Sequence, residues 1–174
     1  MVLVTREAIR IISYCWSEKR IKGVVSTPLR GENTLTVDEI AASIGYCGLV
    51  CKLCHLSDKC SGCKSEHNCC GRHLSGSGCY QYNCCVNKGI EGCWECEDFP
   101  CAEDMFSDSH DVRLRAFIRC AKEEGIEQLA EYVLVNSQKG IRYGHKKDYD
   151  GLGSEEAVLS LLRSNKSSLD TKEI

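Results

Sequence analysis

The chain has 174 residues, a formal net charge of −3 and 15 cysteines, 13 of them between Cys47 and Cys101. This length fits one domain, or one domain with a small appendage, and the evenly spread charge lacks the basic patch that nucleic-acid binding needs. No apolar run approaches membrane-spanning length, and the N-terminus lacks the apolar core of a signal peptide. We therefore expect a cytoplasmic protein with no nucleic-acid or membrane partner. In that reducing compartment its cysteines should remain thiols and bind metal rather than form disulfides.

The N-terminal part predicts two helices joined by an irregular arm. Thr5 is a suitable N-cap for a first helix, which an apolar stripe extends to Lys19. Glycines and a proline interrupt the pattern over residues 21–33, which we interpret as an arm or short hairpin. The sequence Thr36-Val-Asp-Glu is a capping box and predicts a short helix to about Ser43.

The cysteine-rich segment is expected to consist of loops, turns and single helical turns. Between Leu56 and Val86 the only sizeable apolar side chains are Leu74, Tyr80 and Tyr82. Such a segment cannot bury enough apolar surface to offset the entropy of ordering its backbone. Cross-links must therefore hold it together, and in a reducing compartment these are metal ions.

The region after the cysteine cluster predicts a helical hairpin. Apolar residues at helical spacing begin a helix near Asp111, Gly125 ends it, and the pattern repeats on a second helix from Ile126 to Leu134. The apolar faces of this hairpin can cover the metal module. A polar loop over 140–153 and a last helix that Ser154 caps complete the prediction.

Ten cysteines stand out by spacing as metal ligands, among them three C-x2-C pairs (51/54, 60/63 and 93/96). A C-x2-C pair lets two thiolates converge on one cation, and four thiolates in a tetrahedron suit Zn²⁺. Ten ligands do not fill a whole number of four-coordinate sites, because two such sites need eight ligands and three need twelve. A third site could be completed by Cys69, Cys70, Cys85, His55, His67 or His73, or one thiolate could be shared between two ions. The predicted ligands of two or three zinc ions are Cys47, Cys51, Cys54, Cys60, Cys63, Cys79, Cys84, Cys93, Cys96 and Cys101.

Other assignments of these residues are weaker. An iron–sulfur cluster is the main alternative to zinc, because thiolates also suit iron. The C-x3-C-x2-C spacing of Cys47, Cys51 and Cys54 matches that of radical enzymes, but no strand–helix repeat follows it. Residues 36–49 resemble part of a helix-turn-helix, yet the second helix would begin inside the cysteine cluster. Cys15 and Cys120 lie on apolar helix faces and are interpreted as core residues.

Four stretches of the cysteine segment resemble a prokaryotic cysteine-rich family of unknown function whose members are predicted to bind zinc. They are Tyr46-Cys-Gly-Leu-Val-Cys-Lys-Leu-Cys54, Cys60-Ser-Gly-Cys-Lys64, Cys79-Tyr-Gln-Tyr-Asn-Cys84 and Gly89-Ile-Glu-Gly-Cys-Trp-Glu-Cys-Glu-Asp-Phe-Pro-Cys101. The resemblance covers roughly residues 45–125 and implies that the same ten cysteines are ligands. It favours Cys84 over Cys85, which stands where the family often has a small residue. The chain departs from the pattern in an N-terminal extension of about 45 residues and in His55, where a proline is common.

We therefore predict a small α-helical protein with a loop-rich, multi-zinc cysteine module, packed against a C-terminal helical hairpin and preceded by an N-terminal helix. The expected parts are residues 1–44, 45–105 and 106–174. The predicted function is zinc binding with mainly structural sites in an interaction or scaffold module, for which a protein partner is the expected class. The alternatives are an iron–sulfur electron-transfer or redox-sensing protein and, less favoured, a zinc-dependent enzyme. No catalytic residue is predicted.

Overall fold

The computed structural model describes residues 35–107, 112–144 and 146–165. The predictions for residues 1–33, including the core position of Cys15, lie outside these ranges. Within them the protein is helical and contains no β-strand, which confirms the predicted mainly α-helical class. Its α-helices are α1 (Val37–Ala42), α2 (Tyr80–Lys88), α3 (Val112–Glu124), α4 (Ile126–Gln138) and α5 (Glu155–Arg163), and single 3-10 turns form at Cys51–Leu53, Cys93–Glu95 and Asp104–Phe106. Among the described helices, none combines the length and the apolar character needed to cross a membrane.

Helix α1 begins at the predicted capping box. The Glu39 N–H donates to Thr36 Oγ1 at 3.2 Å, and the Thr36 N–H donates to the Glu39 carboxylate at 2.9 Å. Each bond satisfies a backbone donor that the first helical turn leaves free. The helix ends at Ser43 and packs against α4 with Ile40 fully buried. It thereby positions the chain that enters the cysteine segment.

Helices α3 and α4 form the predicted hairpin. Gly125, with a φ of 95°, joins them in a conformation that side-chain-bearing residues rarely adopt. The apolar face of α3 buries Leu114, Phe117 and Ile118, and α4 contributes Leu129 to the same core. The helical spacing predicted from the sequence is therefore confirmed.

Helix α5 is held to this hairpin by its cap and by one buried amide. Ser154 Oγ accepts a hydrogen bond from the Ala157 N–H at 3.2 Å, as predicted. Asn136 of α4 is fully buried, and its Nδ2 donates to the Leu161 and Leu162 carbonyls at 3.1 and 3.0 Å. These carbonyls lie in the last turn of α5, where intrahelical donors run out.

The described residues of segment 140–153 form a loop, as predicted, but the loop is not uniformly polar. Tyr149 is 1% exposed and packs edge-on against Phe117. The Tyr143 hydroxyl accepts a hydrogen bond from the Val50 N–H at 2.8 Å, which ties this loop to the cysteine segment.

The cysteine segment also contains a nine-residue helix, α2, where only turns were expected. Gly89 ends this helix in the left-handed conformation. Its buried residues are Gln81 and Cys85, so the face that packs inward carries no aliphatic side chain. Because its buried face lacks aliphatic residues, the helix shows no apolar repeat in the sequence.

The hairpin covers part of the cysteine segment. Leu114 and Ile118 of α3 form a small apolar cluster with Phe106, Cys85 and Cys93, separate from the main core. A side chain at Gly48, whose φ is 83°, would meet Ile118 Cδ1 at 2.9 Å. The backbone beside Cys47 therefore lies directly against α3.

Candidate metal centre

Two cavities of the cysteine segment are each lined by several cysteines, and Cys84 also borders a third cavity of about 510 Å³. The larger, of about 610 Å³, is here named the large thiol cavity, and Leu49, Leu56 and Met105 contribute apolar surface to it. His55, Arg72 and His73 also line it. Its seven cysteines are Cys47, Cys51, Cys54, Cys60, Cys63, Cys70 and Cys79.

The second cavity, the small thiol cavity, has a volume of about 20 Å³. It lies between α2, the turn at Cys93–Glu95 and the aromatic rings of Phe99 and Phe106. A space of roughly this size holds one water-sized particle. Its five cysteines are Cys84, Cys85, Cys93, Cys96 and Cys101.

The two cavities are neighbours, linked through the backbone and through one lysine. The Cys93 N–H donates to the Tyr46 carbonyl at 2.9 Å. Lys64 Nζ lies 5.3 Å from the ring centroid of Tyr46 and 5.0 Å from that of Trp94, positions in which a cation is attracted to an aromatic face. The Lys64 ammonium, which also pairs with Glu91 at 3.6 Å, thus lies near both rings.

Small residues let the sulfurs of the large thiol cavity approach one another. A Cβ atom at Gly45 would lie 3.1 Å from Cys63 Sγ and 3.6 Å from Cys51 Sγ. A Cβ atom at Gly62 would lie 3.0 Å from Cys51 Sγ. The sulfurs of Cys51 and Cys63 therefore share a space that a larger residue at either glycine would fill.

Hydrogen bonds fold residues 60–70 back onto themselves. The Ser61 N–H donates to the His67 carbonyl at 2.8 Å, and the Cys69 N–H donates to Cys60 Sγ at 3.1 Å. Asn68 Oδ1 accepts the Cys70 N–H at 3.0 Å. An N–H group directed at a cysteine sulfur stabilises the thiolate form that binds metal.

In the small thiol cavity, Cys85 and Cys93 are 1% and 7% exposed and their sulfurs are 3.7 Å apart. Zn–S bonds of about 2.3 Å place the sulfurs of a tetrahedral site at roughly this separation. At the rim, Lys88 Nζ donates to Cys96 Sγ at 3.2 Å and pairs with Asp98 at 2.6 Å. The Lys88 ammonium therefore lies between the Cys96 sulfur and the Asp98 carboxylate.

Burial raises the pKa of five of these thiols, reaching about 12 for Cys51, because the charged form loses its hydration. Cys85 differs, since its hydrogen bond with Cys93 lowers the pKa of Cys85 and raises that of Cys93. Without metal, the five thiols whose pKa burial raises are therefore protonated at neutral pH. The thiols whose pKa burial raises are Cys47, Cys51, Cys63, Cys79 and Cys84.

The ten predicted ligands divide between the cavities, six in the large and four in the small. In the part of the chain that the structure describes, no three histidine, cysteine, aspartate or glutamate side chains lie close enough to hold a metal ion directly. The thiols lie around these two cavities, and their sulfurs would have to move closer together to coordinate an ion. The ligand assignment stays a prediction.

The remaining cysteines and histidines have separate positions. Cys70 and Cys85, which spacing did not select, line the large and the small thiol cavity. Cys69 lines neither and is disulfide-bonded, contrary to the expectation that all cysteines remain thiols. Cys120 is fully buried in the core of the helices, as predicted. His67 is exposed and lines neither cavity.

Residues 55–105 match the model of a family described as "Protein of unknown function (DUF3795)". The match spans less than a third of the chain and includes both Cys60–Cys63 and Cys93–Cys101, whereas Cys47, Cys51 and Cys54 precede it. It confirms the predicted resemblance to a family of unknown function, over fewer residues than the expected 45–125. No match was found among curated proteins or among solved structures.

Proposed function

We propose that this protein binds zinc through its two groups of thiols and that the ions keep the cysteine segment folded as a non-catalytic interaction module. One observation carries the proposal. From Cys51 to Cys79 the buried residues are three cysteines, Gly62 and Asn68, and the aliphatic side chains of this stretch are at most partly buried. A segment of this kind has no apolar core to offset the entropy of its ordered backbone.

The donor set fits zinc. Thiolates in C-x2-C pairs are the usual ligands of structural zinc, and such ions contribute about 10–16 kcal/mol of binding free energy to the folding of small domains. The small thiol cavity suits a single ion held by Cys93, Cys96, Cys101 and one of Cys84 and Cys85, with Lys88 as a counter-charge at Cys96. A cytoplasmic location belongs to the same proposal, because a reducing compartment preserves the thiols that line the two cavities.

A structural role is favoured over catalysis by the position of the acidic side chains. A catalytic zinc needs an open coordination position with an acid or base beside it. Glu95, Glu97 and Asp98 flank Cys96, but all three are exposed and none lines either cavity. Asp98 instead pairs with Lys88. In the large thiol cavity, His55 and His73 are the residues that a zinc enzyme could use.

The volume of the large thiol cavity favours one other function, an iron–sulfur protein. A space of about 610 Å³ lined by seven cysteines would also accommodate a cluster of iron and sulfide. Zinc thiolates are colourless, whereas iron–sulfur clusters absorb visible light.

Elemental analysis and a visible spectrum of protein purified without oxygen test the proposal. We expect zinc as the bound metal and no visible absorption. Stoichiometric iron with a coloured sample would replace the proposal with the iron–sulfur alternative. A folded protein with neither metal would contradict both.

A further inference from the structure

Two of the cysteines that line the large thiol cavity, Cys47 and Cys51, lie on one short turn, here named the thiol turn (residues 43–51). Ile44 and Val50 pair antiparallel across its base. Both residues are fully buried and belong to the main core of the helices. The positions of the two sulfurs therefore depend on how this turn is held in place.

The N–H group of Val50 points out of the thiol turn. Backbone hydrogen bonds flank the Ile44–Val50 pair on both sides, one of 2.9 Å from the Gly45 N–H and one of 3.1 Å from the Cys51 N–H. A pair flanked in this way is not itself hydrogen-bonded, so its N–H groups point away from the opposite arm. Because Val50 is fully buried, its N–H needs an acceptor from another part of the chain.

Tyr143, in the loop after α4, provides that acceptor. Its hydroxyl oxygen accepts the Val50 N–H at 2.8 Å. The Arg113 guanidinium lies 4.9 Å from the centroid of the Tyr143 ring, where a cation is attracted to the aromatic face. Arg113 also pairs with Asp150 at 3.1 Å, and these two side chains are 8% and 11% exposed. The hydroxyl is thus held by α3 and by the loop of residues 140–153.

We propose that Tyr143 is a positioning residue for the large thiol cavity, whose hydroxyl fixes the backbone next to Cys51 and so prepares the thiol turn to bind zinc. The inference rests on the proposed function, because it concerns thiols that would hold the ion. It requires that Cys47 and Cys51 belong to a metal site, and it holds for any set of further ligands. Groups that orient a metal ligand typically change metal affinity by about 10- to 100-fold.

The thiol turn can keep its shape without metal, unlike the rest of the cavity. Val50 belongs to the same core as Leu129 and Val133 of α4. From residue 51 to residue 79, by contrast, the aliphatic side chains are at most partly buried. A ligand pair that is already ordered costs less conformational entropy when the ion binds. Loosening the turn should therefore weaken zinc binding even when the helices stay folded.

The competing explanation is that the hydroxyl of Tyr143 only stabilises the fold. Tyr149 separates the two explanations, because its hydroxyl accepts a hydrogen bond from Asn136 Nδ2 at 2.8 Å, and this bond involves no residue of the cysteine segment. The rings of both tyrosines pack near Phe117. Tyr143→Phe and Tyr149→Phe thus remove the same atom from the same core, one bonded to the thiol turn and the other bonded to α4.

Zinc-dependent protection of individual cysteines on the full chain tests the inference. The reduced protein is equilibrated without oxygen at graded concentrations of free zinc and alkylated with iodoacetamide, and mass spectrometry measures the modified fraction of each cysteine. In Tyr143→Phe, the free zinc concentration that protects Cys47 and Cys51 should rise by about 10- to 100-fold. Protection of Cys96, in the small thiol cavity, should stay unchanged, as should the protection of all cysteines in Tyr149→Phe.

Protection of Cys47 and Cys51 at the same zinc concentration as in the unaltered chain, or an equal shift in Tyr149→Phe, would overturn the inference. A second measurement needs no variant and decides the case if Tyr143→Phe does not fold. In the zinc-free unaltered chain the Val50 amide should stay protected from hydrogen exchange, and free exchange at this amide would overturn the inference. Failure of zinc to protect any cysteine of the unaltered chain would instead contradict the proposed function, and the inference with it.

Discussion

Gly48→Ala tests whether the cysteine segment is packed directly on α3. Gly48 has a φ of 83°, a conformation that costs an alanine about 1–2 kcal/mol. Its new Cβ would also lie 2.9 Å from Ile118 Cδ1 and 3.1 Å from Ile118 Cγ1. Overpacking of this kind costs about 1–3 kcal/mol more, so we expect a total loss of roughly 2–5 kcal/mol in the free energy of unfolding.

Gly140→Ala is the matched control, because Gly140 has a φ of 88° and nothing within 4 Å of its Cβ position. It should lose only the backbone contribution of about 1–2 kcal/mol. Both variants are unfolded with urea in the zinc-loaded form. Combining Gly48→Ala with Ile118→Val, which removes the nearest atom, should cost less than the sum of the two single changes. Equal losses for the two alanine variants would refute the packing of Cys47–Gly48 on α3.

Three further predictions concern the helical core, the link between the cavities and zinc binding. Asn136→Ala should lower the free energy of unfolding by about 2–4 kcal/mol, because the buried Leu162 carbonyl and Tyr149 hydroxyl lose the amide that donates to them. A loss no greater than that of Asn165→Ala in urea unfolding would contradict this. Gly92→Ala should displace the Trp94 ring, because that ring occupies the space of the new Cβ. The backbone at Gly92 is extended and would itself accept an alanine. An unchanged tryptophan fluorescence spectrum would contradict this prediction. Zinc affinity should fall at least about tenfold per pH unit on acidification, since zinc must displace protons from buried thiols of raised pKa. A competition titration that gives the same zinc affinity at neutral and mildly acidic pH would contradict this.

The helices were predictable wherever local signals agreed with one another. Thr36 and Ser154 are caps whose side chains bond the first turn, and Gly125 separates two stretches of regular apolar spacing. Helix α2 was not predictable in this way, because Gln81 and Cys85 form its buried face and neither counts in an apolar pattern. The anchoring of Tyr143 on Val50 was also hidden, since 93 residues separate the two.

The spacing of the cysteines predicted the type of site, but it did not predict how the thiols divide between the two cavities. C-x2-C pairs identify thiols that converge on one ion, but spacing cannot show which pairs face the same cavity. That depends on contacts such as those at Gly45, which lets Cys51 and Cys63 approach each other. Cys70 was not selected because it belongs to no regular spacing, and the fold of residues 60–70 brings it to the large thiol cavity.

Amide hydrogen exchange with and without a zinc chelator tests most directly whether metal keeps the cysteine segment folded. In the zinc-loaded protein we expect protected amides both in residues 51–79 and in α4. After chelation under reducing conditions, residues 51–79 should lose their protection while α4, whose Leu129 and Val133 lie in the apolar core, keeps it. Unchanged protection of residues 51–79 after complete removal of the metal would contradict the proposal that zinc holds this segment together.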